Sequence, residues 1–195
     1  MEDRLAANRE RILEAARKLV SKGGLLKAPM DMVAAEAGLS TGALYRYFPS
    51  KADLFVDVLH VAVDREIDIL DQIVEGPGTA RERLKEAVAS FVLRALRGPN
   101  LAYAFIAEPT DADVNAARIL CRKQFGEVFK RIIRSGIQNS EFPNQDVDAS
   151  AACIVGAFTE ALVGPIAPST RGTRKQDRLV KAVSNFCVAA VEGSE

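Results

Sequence analysis

Histidine and cysteine are scarce in this chain of 195 residues, which contains one histidine and three cysteines. The cysteines, Cys121, Cys153 and Cys187, form no CxxC pair, so neither a disulfide framework nor a zinc site is expected. This cysteine usage fits a reducing compartment. The sequence also lacks a glycine-rich phosphate loop after a strand and a nucleophile elbow. It therefore predicts a protein that is not an enzyme and that uses no metal or cofactor.

The chain also lacks long apolar runs, and it carries no formal net charge. No apolar stretch approaches the ~18 residues that a membrane-spanning helix needs, and charged residues stand where a secretory signal would be apolar. We therefore expect a cytoplasmic protein without a membrane span. The formal net charge is zero, but residues 1–51 hold nine Lys or Arg against six Asp or Glu. That small basic excess fits nucleic-acid binding by one end of the chain.

Apolar residues recur at helical spacing along the chain and strand patterns are absent, which predicts an all-α protein with about nine helices. Residues 1–8 are polar and are expected to be loose. The helices expected after them, with a loop over 164–172, are 9–22, 29–37, 41–48, 51–74, 79–97, 100–107, one from Asp111 or Asp113 to about 135, 146–163 and 173–191.

The stretch from Pro29 to Phe48 reads as two short helices joined by a tight turn. Gly38 ends the first helix, because glycine reaches the left-handed conformation without a steric penalty. Ser40 is a good N-cap for the second helix. Leu44 and Phe48 share one face of that helix, which leaves a polar outer face.

This outer face consists of one small residue, three hydroxyl-bearing residues and a guanidinium: Gly42, Thr41, Tyr45, Tyr47 and Arg46. Hydroxyls and a cation bind phosphate oxygens and base edges, and a small residue permits close approach, as in a recognition helix in the major groove. A helical hairpin with amphipathic tyrosines at its edge is the alternative, and these residues alone leave both interpretations open.

A longer sequence pattern favours the recognition helix over the plain helical hairpin. RERILEAARKLVSKGG followed by MDMVAAEAGLSTGALYRYFPSKADLF resembles the TetR/AcrR family of bacterial transcriptional repressors over roughly residues 9–60. The resemblance implies an N-terminal three-helix helix-turn-helix DNA-binding domain over 1–50. It also implies a C-terminal helical effector-binding and dimerisation domain over 51–195.

The resemblance also implies roles for matching residues. Thr41 and Gly42 should lie closest to the bases, with Arg46 near the groove. Contacts with backbone phosphates should come from Ser40, Tyr45, Tyr47 and Lys51. The chain departs from the family at Ala28 and Pro29, where a Thr or Ser usually caps the second helix and binds a phosphate. Without that anchor, DNA affinity is expected to depend on Arg4, Arg9 or Lys27.

The resemblance further implies a small-molecule effector, expected to be small and largely apolar. Candidate contacts are the one histidine and a set of mostly aromatic residues on the later helices: His60, Tyr103, Phe105, Glu108, Cys121, Phe125 and Phe129. Ordinary core or surface positions are the alternative for each of them, since an aromatic stripe at helical spacing is more often core.

The last two helices pair in family members with their copies in a two-fold bundle, which reads a palindromic operator on double-stranded DNA. The small residues of 146–163 would permit such close approach, and an internal helix pair in a monomer is the alternative. The predicted homodimer residues are Ala152, Gly156, Phe158, Val183, Phe186 and Cys187. A helical protein-interaction module that does not bind DNA is the runner-up function.

Overall fold

The computed structural model describes residues 2–170 and 176–193, and within these ranges the chain forms nine α-helices and no strand. A single 3₁₀ turn, Leu25–Lys27, lies between the first two helices. The helices are α1, Glu2–Gly23; α2, Met30–Glu36; α3, Thr41–Tyr45; α4, Lys51–Val74; α5, Ala80–Arg97; α6, Pro99–Ile106; α7, Ala112–Gln138; α8, Val147–Ile166; and α9, Gln176–Glu192.

The chain divides into two compact units. The first unit comprises residues 1–62 and 98–119, and the second comprises 63–97 and 120–195. The helix α6 and the first residues of α7 therefore belong with the N-terminal helices. The all-α fold is confirmed, whereas the functional boundary after residue 50 stays a prediction, because compactness does not measure function.

The core of the first unit forms where the apolar stripe of α1 meets α2, α3 and the start of α4. Ile12 and Ala16 of α1 are fully buried, as is Leu44 of α3. Phe48 follows α3 with only 2% of its surface exposed. A helix of five residues is not stable alone in water, so these buried contacts hold α3 in place.

Side-chain caps fix the ends of the short elements. Ser40 accepts a hydrogen bond from the backbone N–H of Ala43 at 3.2 Å, which confirms it as the N-cap of α3. At the start of α4, the hydroxyl of Ser50 accepts from the N–H of Asp53 at 3.0 Å. The Asp53 carboxylate accepts in return from the N–H of Ser50 at 3.1 Å, which completes a capping box.

The second unit packs α5 against α8 and α9 around a cluster of phenylalanines. The ring of Phe91 lies 5.4 Å from that of Phe125 on α7 and 4.7 Å from that of Phe158 on α8, between ring centroids. Phe129 lies 5.5 Å from Phe158. These contacts join three helices in one apolar interior.

Several expected element ends were wrong. The helix α3 ends at Tyr45 rather than at residue 48. Residues 2–8 are helical rather than loose, because Ala6, Ala7 and their neighbours favour helix even without an apolar stripe. The helix α8 continues past Gly164 and Pro165 to Ile166, which is fully buried. The loop after α8 therefore begins at residue 167 rather than at 164. Residues 171–175, including the predicted helix start at Thr173, lie outside the described residues.

The helix α8 is the one helix in the described ranges that is long and apolar enough to cross a membrane by length and composition alone. This result does not contradict the expected absence of a membrane span, because Asp148 and Glu160 interrupt the apolar residues of α8. Ile154, Phe158 and Leu162 of α8 are also buried within the second unit. A core helix of a soluble protein passes the same test.

Candidate nucleic-acid interface

The turn between α2 and α3 depends on a glycine. Gly38 has a φ of +67°, in the left-handed region, and directs the chain from α2 into α3. The guanidinium of Arg11 on α1 donates a hydrogen bond to the carbonyl of Ala37 at this turn. A Cβ at position 38 would lie 2.9 Å from that guanidinium, so the glycine also leaves room for the anchor.

The recognition face of α3, defined as Thr41, Gly42, Tyr45 and Arg46, lies at the surface of the first unit. All four residues are exposed, Tyr45 to 47%. A Cβ at Gly42 would meet nothing within 4 Å, so the surface at the first turn of α3 is open to close approach by another molecule. Polar groups therefore face outward, while Leu44 is buried behind them.

Two further predicted phosphate contacts flank this face. Tyr47 packs partly against the core, and its hydroxyl accepts a hydrogen bond from the side chain of Asn8 at 3.0 Å. Lys51 is half-buried at the first turn of α4, with its ammonium 5.3 Å from the centre of the Phe55 ring. Each side chain is thus held by its own neighbour rather than extended freely into solvent.

The cations suggested as substitutes for the missing anchor differ in their surroundings. Arg9 forms an ion pair with Asp57, and its guanidinium lies 5.4 Å from the centre of the Phe48 ring. Arg4 and Lys27 are exposed. Pro29 precedes α2 without a side-chain cap, as its chemistry requires. Arg4 and Lys27 remain the more accessible candidates.

Glu108 has a clear structural role within the first unit. Its side chain is only 6% exposed, and its carboxylate accepts hydrogen bonds from the backbone N–H groups of Leu25 at 2.9 Å and Leu26 at 3.4 Å. At Gly24, which has a φ of +81°, a Cβ would lie 2.7 Å from the carboxylate. Glu108 thus holds the 3₁₀ turn that leads into α2.

The predicted effector residues divide between the two units. His60 and Tyr103 are half-buried in the first unit, and Phe105 packs partly against its core. In the second unit, Phe125 and Phe129 belong to the phenylalanine cluster.

Cys121, also in the second unit, is buried. Burial, with the nearby charge of Asp64, raises the pKa of its thiol to about 11. Such a thiol is neutral near pH 7 and behaves as a small apolar core side chain.

The predicted dimer residues also separate into two groups. Ala152 and Gly156 on α8 and Phe186 on α9 are exposed in the single chain, Phe186 to 63%. Phe158, Val183 and Cys187 are buried within the second unit. The latter three therefore support these helices from inside rather than offering a free surface.

A helix-turn-helix with an exposed polar second helix is the arrangement typical of DNA-binding regulators. Residues 12–58 match the family model for bacterial regulatory proteins of the tetR family. The chain is 32% identical over 185 residues to the HTH-type transcriptional repressor KstR of Rhodococcus jostii, covering 91% of this chain and 84% of that protein. It is 22% identical to the fatty acid metabolism regulator protein of Bacillus subtilis, covering 77% and 79% respectively.

Solved structures share the fold over nearly the whole chain. The transcriptional regulator FadR from Bacillus subtilis, in complex with stearoyl-CoA, superposes with a TM-score of 0.79 at 19% identity, covering 93% of this chain and 98% of that one. A transcriptional regulator from Saccharomonospora viridis in complex with choline gives 0.78 at 20% identity, covering 97% and 100%.

The chain belongs to the TetR family of transcriptional regulators. It is a DNA-binding regulator of the repressor type, and the prediction that it is not an enzyme is confirmed. The alternative of an interaction module without DNA binding is not favoured, because the relatives are transcriptional repressors.

Sequence reasoning missed the residues that support the recognition face from a distance. Asn8 and Arg11 contact Tyr47 and Ala37, which follow them by 39 and 26 positions. Glu108 contacts a turn 83 positions earlier. No local pattern signals such pairs, since helical periodicity reports only which face is apolar.

We predict that Glu108→Ala lowers the free energy of unfolding by about 1–3 kcal/mol, because it leaves the buried N–H of Leu25 without its acceptor. Urea unfolding followed by circular dichroism measures this loss. Glu86→Ala removes an exposed carboxylate from α5 and serves as the matched control, with an expected change within about 0.5 kcal/mol. Equal losses in the two variants would contradict the role assigned to Glu108.

Proposed function

We propose that this regulator is a homodimeric repressor that leaves a palindromic operator when it binds a small, largely apolar effector. The observation that carries the proposal is the recognition face of α3, which is exposed and polar while Leu44 behind it is fully buried. A regulator of this kind acts in the cytoplasm, where its DNA is.

The proposed contacts follow the position of each group. Thr41 and Gly42, on the first turn of α3, approach base edges most closely, because position 42 is open to approach. Arg46 reaches the groove as the one guanidinium on the recognition face. The groups around this face contact backbone phosphates, which fix orientation rather than sequence: Ser40, Tyr45, Tyr47 and Lys51.

Base and phosphate contacts predict different mutant behaviour. Arg46→Ala should weaken operator binding by about 1–3 kcal/mol and relax the sequence preference. Lys51→Ala should weaken binding to all sequences alike and reduce the salt slope of log K by about one for each ammonium lost. Fluorescence anisotropy with operator and unrelated duplexes, over a range of salt, measures both effects.

Footprinting on the DNA that flanks the protein's own gene identifies the operator sequence for these binding measurements. Lys85→Ala is the matched control, since Lys85 is an exposed lysine on α5 in the second unit. Its affinity for both duplexes should stay unchanged. If Lys51→Ala alters the sequence preference as strongly as Arg46→Ala does, the assignment of Arg46 to bases and Lys51 to phosphates is contradicted.

The dimer proposal rests on an uncovered apolar face of α8 and α9. Small residues on α8, including Ala152 and Gly156, would let a second copy approach closely. Phe186 on α9 exposes 63% of its side chain and would anchor such an interface. A two-fold dimer would then place two copies of α3 about one DNA turn, roughly 34 Å, apart.

We predict that Phe186→Asp raises the dimer dissociation constant about 30-fold or more, since losing a central aromatic anchor costs about 2 kcal/mol. Sedimentation velocity over a range of concentrations measures this. Met32→Asp is the control, because it places the same charge on an exposed apolar position of α2, and it should leave the dimer intact. Identical dimerisation in both variants would contradict the α8/α9 interface.

The effector proposal rests on the interior of the second unit, whose phenylalanine cluster favours an apolar ligand over a charged one. The solved relatives contain different ligands, so the fold does not choose among them. The structure of FadR from Bacillus subtilis contains stearoyl-CoA, and that of the regulator from Saccharomonospora viridis contains choline. Of these ligands, the acyl chain of stearoyl-CoA is the part that best suits an apolar interior, and its charged coenzyme A moiety would have to stay outside that interior.

We therefore predict that stearoyl-CoA weakens operator binding about 100-fold, which corresponds to a coupling free energy of about 2.7 kcal/mol. The anisotropy of a labelled operator, titrated in the presence of stearoyl-CoA, measures the shift. Coenzyme A without the acyl chain is the control and should have no effect. Binding of stearoyl-CoA that leaves operator affinity unchanged would contradict release by this class of effector.

A further inference from the structure

Three polar side chains connect α1 to the recognition region. The guanidinium of Arg11 donates to the Ala37 carbonyl through Nη2 and to Oδ1 of Asn8 through Nη1, the latter at 3.3 Å. The amide nitrogen of Asn8 donates in turn to the hydroxyl of Tyr47 at 3.0 Å. Asn8 and Tyr47 are both half-buried, so this row of groups is partly shielded from water.

The direction of donation in this row is determined by chemistry. An amide can be turned so that its oxygen and nitrogen exchange places, and only its hydrogen-bond partners decide between the two orientations. A guanidinium donates but never accepts. Arg11 therefore requires the oxygen of Asn8 to face it, which leaves the amide nitrogen to face Tyr47.

The hydroxyl of Tyr47 consequently accepts from Asn8, and its own hydrogen is available for another acceptor. A hydroxyl has one donor and two acceptor positions, so accepting one bond leaves its hydrogen free to turn outward. A phosphate oxygen is a charged acceptor that suits such a donor.

Arg11, the first residue of this row, is anchored by a backbone carbonyl. Arg11 is anchored on the carbonyl of Ala37 at the turn between α2 and α3, next to Gly38. A Cβ at position 38 would lie 2.9 Å from the guanidinium, so the glycine that the turn requires also leaves room for this contact. The orientation of Asn8 is therefore tied to the turn that positions α3.

We propose that Asn8 is a positioning residue for DNA binding, which holds the Tyr47 hydroxyl as a hydrogen-bond donor toward a backbone phosphate. The order of donation is Arg11 to Asn8, Asn8 to Tyr47, and Tyr47 to phosphate. This inference rests on the phosphate contact proposed for Tyr47, and the experiment below separates the two.

The decisive variant is Asn8→Asp, which preserves the shape of the side chain and replaces the donor by an acceptor. The carboxylate takes the hydrogen of the Tyr47 hydroxyl, so that the hydroxyl no longer donates to phosphate. We expect about tenfold weaker binding, the effect of losing a hydrogen bond to a charged group. The probe is a labelled mixed-sequence duplex of about 30 base pairs at low salt, because phosphate contacts do not depend on sequence.

Two further variants separate the effect of the Tyr47 hydroxyl on DNA binding from the effect of the added negative charge. Ala7→Asp introduces the same charge at the neighbouring exposed position of α1 and reports its repulsion from DNA. Tyr47→Phe removes the hydroxyl alone and should also weaken binding about tenfold. In the Tyr47→Phe background, Asn8→Asp should weaken binding no more than Ala7→Asp does. Unchanged thermal midpoints of unfolding would show that all variants are folded.

The outcomes separate the two proposals. An additional loss for Asn8→Asp over Ala7→Asp that disappears without the hydroxyl supports the positioning role. Equal losses for Asn8→Asp and Ala7→Asp, with a clear loss for Tyr47→Phe, overturn the inference and leave the phosphate contact standing. Unchanged binding by Tyr47→Phe overturns both.

Should Asn8→Asp fail to fold, Asn8→Ala decides the same question. It should weaken binding about threefold, as expected for a neutral hydrogen bond, and only while the Tyr47 hydroxyl is present. A threefold loss that persists in the Tyr47→Phe background overturns the positioning role.

Discussion

The burial of Leu44 and Phe48 holds the recognition helix in place. A helix of five residues, α3, has too few internal hydrogen bonds to persist alone. Both side chains lie almost entirely inside the core of the first unit, where Ile12 and Ala16 of α1 are also fully buried. Their burial orients the opposite face, with Thr41 and the groups beside it, toward solvent, where we propose that it contacts DNA.

Residues outside the helix-turn-helix also hold the elements that position α3. Glu108 holds the 3₁₀ turn before α2, and Arg11 holds the carbonyl at the end of α2. Glu108 lies far along the chain from the helix-turn-helix, yet within the same compact unit. Because the first compact unit includes residues 98–119, this later part of the chain directly contacts an element that leads into the helix-turn-helix.

The sequence was informative where a feature depends on neighbours in the chain. The cap at Ser40, the turn at Gly38 and the exposed face around Thr41 follow from helical spacing and residue chemistry, and the structure contains each of them. Glu108 illustrates the limit, because its partners lie 82 and 83 positions away and its residue type fits a ligand contact equally well. Phe158 shows the same limit, since periodicity identified its helix but not which face is buried.

The central claim is that the exposed face of α3 is the surface that meets DNA. Backbone amide chemical shifts, recorded by NMR with and without the operator duplex, test it residue by residue. We expect the largest changes at Thr41 to Tyr47 and at the start of α4 near Lys51. Largest changes confined to the second unit, with the amides of α3 unaltered, would contradict it.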